Sequence, residues 1–65
     1  MYLILINLIN TETGKVTQVR HLDNVDSVRI ARTKAVRDVA EFNGKSIECD
    51  SPMRQELVSI TNYTW

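Results

Sequence analysis

Tyr2-Leu3-Ile4-Leu5-Ile6-Asn7-Leu8-Ile9-Asn10 is the stretch that decides the fold of this 65-residue chain. Side chains in a strand alternate between faces. Tyr2, Ile4, Ile6 and Leu8 therefore point one way and Leu3, Leu5 and Ile9 the other, with Asn7 as the polar interruption. A strand that is apolar on both faces has to be covered twice, by the rest of the domain or by another chain.

Chemistry-bearing residues beyond it are sparse. One small domain, residues 1–65, is expected at this length, and chains of this size bury only roughly 60% of their unfolded surface. Cys49 is the single cysteine and His21 the single histidine, so neither an internal disulfide nor a zinc cluster is expected, and no metal or cofactor. An apolar content of 43% favours a folded chain over a disordered one. Eight basic residues balance eight acidic ones, where a dedicated nucleic-acid binder of this size usually carries a basic excess. The apolar start has no basic leader and no small-residue cleavage site, and a bilayer span needs about 20 apolar residues. The expected location is the cytoplasm.

Thr11-Glu12-Thr13-Gly14 ends in the residue that best tolerates positive φ, and Lys15 to Leu22 is again strand-like, so residues 2–22 read as an antiparallel hairpin. Asp23-Asn24 offers helix-capping side chains. Val25, Val28, Ala31, Ala35, Val36, Val39 and Phe42 then recur at spacings of three and four, one face of a helix that Asn43-Gly44 is expected to stop. Lys45 to Asp50 reads as a short strand with Ile47 and Cys49 inward. Ser51-Pro52 breaks it, with Ser51 a candidate cap for a short turn over Met53 to Glu56. Leu57 to Trp65 reads as the last strand. The expected fold is α+β: an antiparallel sheet of about four strands in the order β-β-α-β-β, packed against one helix.

No residue pattern supports catalysis. His21, Asp23 and Ser27 supply the residue types of a hydrolytic triad without a pocket or an oxyanion site. Carboxylates at Glu48 and Asp50 flank Cys49 and disfavour its thiolate. The two glycines read as turn residues. The chain is therefore expected not to be an enzyme.

Candidate partner-binding residues lie on the helix and at the end of the chain. Lys34 and Arg37 share the outer helix face with Arg29 at its border, and Ile30 is an apolar residue among them. Arg32 falls inside the apolar arc, where it has to snorkel, pair or meet a partner. Lys34 with Asp38 and Arg37 with Glu41 are spaced to neutralise each other. Tyr63 and Trp65 fall on one strand face and could anchor a protein interface or stack on bases. These residues fit a protein-binding module. The alternative is nucleic-acid binding through the basic helix, Arg29 to Arg37, with the C-terminal aromatics. Leu3, Ile4, Leu5 and Ile6, on the two faces of the first strand, are candidates for self-association. A homodimer is expected, by stacking of open sheet faces or by pairing of edge strands.

In size, in its opening strand and in its lack of chemistry, the chain is similar to the small, compact, non-enzymatic proteins that bacteriophages and mobile elements direct against host machinery. That similarity implies an inhibitor of a host enzyme of transcription, replication or defence that acts by occupying a surface.

Overall fold

A computed structural model describes residues 1–63 and shows an α+β arrangement of three strands and one helix. The strands are β1 (Tyr2–Asn10), β2 (Val16–Asp23) and β3 (Met53–Asn62), and the helix α1 (Val28–Glu48) lies between β2 and β3 in sequence. The sheet order is β2-β1-β3 and both pairings are antiparallel, so β1 is central and β2 and β3 are the edges. That place in the sheet explains why β1 is the strand with apolar residues on both faces.

The hairpin forms as its sequence suggests. Gly14 takes φ 76 and its N–H donates to the Asn10 carbonyl at 2.8 Å, while Asn10 N–H donates to Lys15 at 2.9 Å. The Asn10 side chain also accepts from Glu12 N–H, which pins the start of the loop. Register then runs without a slip from Ile9 opposite Val16 to Tyr2 opposite Asp23.

The second half departs from the four-strand expectation. Residues 45–48, expected as strand, are the last turn of α1, and residues 53–56, expected as a capped turn, open β3. The helix begins at Val28, three residues later than its apolar pattern suggests. Ser27 is the cap, its hydroxyl accepting from Arg29 N–H, and Asp23 belongs to β2. Nor does α1 stop at Asn43-Gly44. Geometry supplies the reason: α1 runs from the last end of β2 to the first end of β3, and so travels the length of the sheet. Twenty-one helical residues reach about 31 Å, close to the roughly 33 Å of a ten-residue strand. A helix ending at Asn43 would reach only about 24 Å.

The actual stop is at Asp50, at φ 54. Ser51 N–H donates to the Ser46 carbonyl and Asp50 N–H to Ile47, the paired bonds of a Schellman termination with aspartate in the left-handed position usually held by glycine. Ile47 and Cys49, expected inward, are consequently exposed.

The core is small. Ile4 of β1 is 2% exposed, Ala31 0% and Ala35 4%, with Ser46 the buried polar residue. Ile4 therefore marks the sheet face that the helix covers, along with Tyr2, Ile6 and Leu8. Leu3, Leu5 and Ile9 mark the open face. Val28 and Val36, expected on the inner arc, are exposed, and Arg32 beside them is exposed too. Val39 and Phe42 are half-buried.

Candidate functional site: two sheet edges and an open face

The two edges of the sheet differ in kind. On β3, Asn43 reaches down from α1 and engages the outward backbone of Gln55: Nδ2 donates to the carbonyl at 3.0 Å, and Oδ1 accepts from the N–H at 2.7 Å. One side chain thus supplies the donor and acceptor that a neighbouring strand would supply. Farther along, Leu5 pairs with Ser59 and Ile6 with Leu57, so Val58 is an extra residue, a bulge that breaks the edge repeat. Thr11 extends the inner β1–β3 pairing by one position, its N–H and hydroxyl both donating to the Pro52 carbonyl.

None of these devices occurs on β2, all of which is exposed except half-buried Asp23. The hairpin fixes which of its backbone groups face outward. Asn10 and Lys15 share a ladder hydrogen bond, and bonded pairs recur at every second position, Leu8–Thr17, Ile6–Val19 and Ile4–His21. Val16, Gln18, Arg20 and Leu22 therefore turn N–H and C=O away from β1. Among the described residues those groups meet no partner. The side chains of Val16, Val19 and Leu22 are 53%, 41% and 43% exposed.

A depression of about 390 Å³ is lined by Leu3, Arg20, Leu22 and Tyr63, with His21, opposite Ile4 in the register, at the strand edge. The Tyr63 backbone is fixed there by its N–H donating to the Met1 carbonyl at 2.9 Å. Trp65, expected beside Tyr63, lies outside the described residues. Of the strand residues singled out for self-association, Leu3 and Leu5 stand on the open face, half-buried, whereas Ile4 is core and Ile6 shares its covered face.

The helix residues divide differently. Ile30 and Arg37 are exposed on the outer side. Lys34 does not pair with Asp38; its Nζ lies 3.3 Å from Asp23, tying α1 to the end of β2. Arg37 stands 4.0 Å from Asp38 rather than pairing with Glu41. Two of the basic side chains thus already face carboxylates, and the outer face is not an uninterrupted cationic stripe. His21, Asp23 and Ser27 do not assemble: Asp23 serves Lys34 and Ser27 caps the helix. Among the described residues no cluster of three or more histidine, cysteine or carboxylate side chains could hold a metal ion, and no helix is long and apolar enough to cross a membrane. The edge of β2 was not singled out from the sequence, because an edge is a property of strand order.

No family model, characterised protein or solved structure matches this chain.

Proposed function

We propose that this chain is a protein-binding module that works by covering a partner's surface and catalyses no reaction. The observation that carries this reading is the open sheet face, where Leu3, Leu22 and Tyr63 line the depression and Leu5 stands on the same face, while the core holds three apolar side chains. Apolar side chains left in water forgo roughly 1.5–3 kcal/mol each relative to burial, which a partner's apolar surface restores. Arg20, which also lines the depression, adds hydrogen-bonding groups beside the apolar side chains. The likeness in style to phage and mobile-element proteins makes a host enzyme of transcription, replication or defence the partner class to screen first, with inhibition as the consequence of occupancy.

The test is affinity capture from bacterial lysate with the chain and with Leu3→Lys. The charge stands on the open face and leaves the Ile4 core intact, which circular dichroism verifies. Proteins retained by the first bait and lost from the second are expected; identical retention by both would sink the reading. Titration with mixed DNA and RNA at low salt addresses the nucleic-acid alternative, where binding would fall steeply as salt rises.

A further inference from the structure

We propose that β2 is the dimerisation edge of this protein, and that its occupant is β2 of a second copy, paired antiparallel across a two-fold axis at Val19. The proposal rests on the edge, not on the open face, and stands or falls apart from the partner-binding reading above.

Three observations lead to it. First, the chain guards β3 with Asn43 and a bulge, yet leaves on β2 a regular run of four outward-facing backbone positions. Long unguarded edges are templates for another strand. Second, self-pairing needs outward positions to meet outward positions, which restricts the axis to few places. With the axis at Val19, Val16 lies opposite Leu22 of the second copy and Gln18 opposite Arg20, so all four outward positions are used. Each of these pairs exchanges two hydrogen bonds. Third, the charges agree with that register alone. Lys15 falls opposite Asp23 of the second copy at both ends, and no like charges face each other. Moving the axis one residue on, to Arg20, sets arginine against arginine, which destabilises a sheet. Moving it back, to Gln18, carries Leu22 past the end of the opposing strand to Gly14.

The side chains complete the match. On the open face exposed Val16 meets exposed Leu22; on the helix face exposed Val19 meets its own copy across the axis. The product is a continuous six-stranded sheet, β3-β1-β2-β2-β1-β3, whose two remaining edges are the guarded ones. A closed dimer results, not a fibre.

Three substitutions separate this arrangement from its rivals. Gln18→Pro removes an outward N–H that takes no part in the β1–β2 ladder, and proline is tolerated on edge strands for that reason. Sedimentation at micromolar concentration is expected to show two chains for the wild type and one for Gln18→Pro, with far-UV circular dichroism unchanged. In a Cys49→Ser background, Val19→Cys places two thiols at a non-hydrogen-bonded pair with Cα atoms about 4.5 Å apart, inside the range a disulfide spans. Arg20→Cys leaves them roughly 8 Å apart. Mild oxidation is expected to cross-link the first variant and not the second. A wild type that sediments as one chain, a dimer that survives Gln18→Pro, or preferential cross-linking through Arg20→Cys would each overturn the proposal. If Gln18→Pro unfolds, the pair of cysteine variants decides alone.

Discussion

Replacing Asn43 by alanine should destabilise this protein more than any other polar substitution on its helix. The side chain makes two hydrogen bonds, at 3.0 and 2.7 Å, to one backbone position twelve residues away. Each is worth about 0.5–1.5 kcal/mol net of what water supplies, so the pair contributes roughly 1–3 kcal/mol. Two terms reduce the loss. Alanine is the better helix former by up to about 0.7 kcal/mol, and Gln55 lies on an edge where water can reach its released groups. The expected net loss is about 1–2 kcal/mol. A domain of this size holds roughly 3–10 kcal/mol in all, so the change is large. With a urea dependence of about 1 kcal/mol per molar, the unfolding midpoint should fall by about 1–2 M. Asn43→Asp keeps the acceptor for Gln55 N–H and loses the donor, setting a carboxylate against the Gln55 carbonyl. Its deficit should narrow below about pH 4, where the new carboxyl is protonated and can donate again. An unchanged midpoint for Asn43→Ala, or a deficit for Asn43→Asp that ignores pH, would refute this account of the β3 edge.

Ile4→Ala should cost about 2–5 kcal/mol, because Ile4 is 2% exposed under the helix. Ile30→Ala, on the outer helix face, should stay within about 0.5 kcal/mol; chemical denaturation reads both. Asp50→Gly should raise stability by about 0.5 kcal/mol: a left-handed side-chain residue costs roughly 1–2 kcal/mol, partly offset by the freedom glycine adds to the unfolded chain. A lowered thermal midpoint would count against the Schellman termination. Lys34→Met removes a surface ion pair to Asp23 at 3.3 Å, and should cost about 0.2–1 kcal/mol. That difference should shrink as salt is added, which urea titrations at two ionic strengths would reveal.

The hairpin was legible in the sequence because its signals are local. Alternation over Tyr2 to Ile9 and glycine at the positive-φ position leave little choice. The body of the helix was legible from the spacing of Ala31, Ala35, Val39 and Phe42. Its end was not, because Asn43-Gly44 carries the local chemistry of a stop while the side chain of Asn43 is used in a tertiary contact. The true stop uses aspartate where glycine is the recognised signal. Ile47 and Cys49 alternate as strand residues do, but the span needed to cross the sheet keeps residues 45–48 helical. The opening of β3 was hidden behind Pro52 and the charges of Arg54 and Glu56, whose side chains share the open face. Candidate contact residues could be named from exposure patterns on the helix. The β2 edge could not, since the match of Lys15 to Asp23 has meaning only once register and strand order are known.

One helix cannot cover three strands. A helix with its side chains is about 10–12 Å wide, and strands lie roughly 4.8 Å apart, so α1 shields about two of them. Which strand remains uncovered is therefore a matter of where α1 is anchored. Asn43 holds its later half over the outer edge of β3, and the short reach of Lys34 to Asp23 keeps only its start near the end of β2. The helix thus crosses the sheet at a slant that favours β3, and Val19, on the helix face of β2, is left in solvent. Val16 and Leu22 stand on the open face, so β2 presents apolar side chains on both faces beside its outward backbone. The side chain that guards one edge thereby selects the other as the place where this chain can join another.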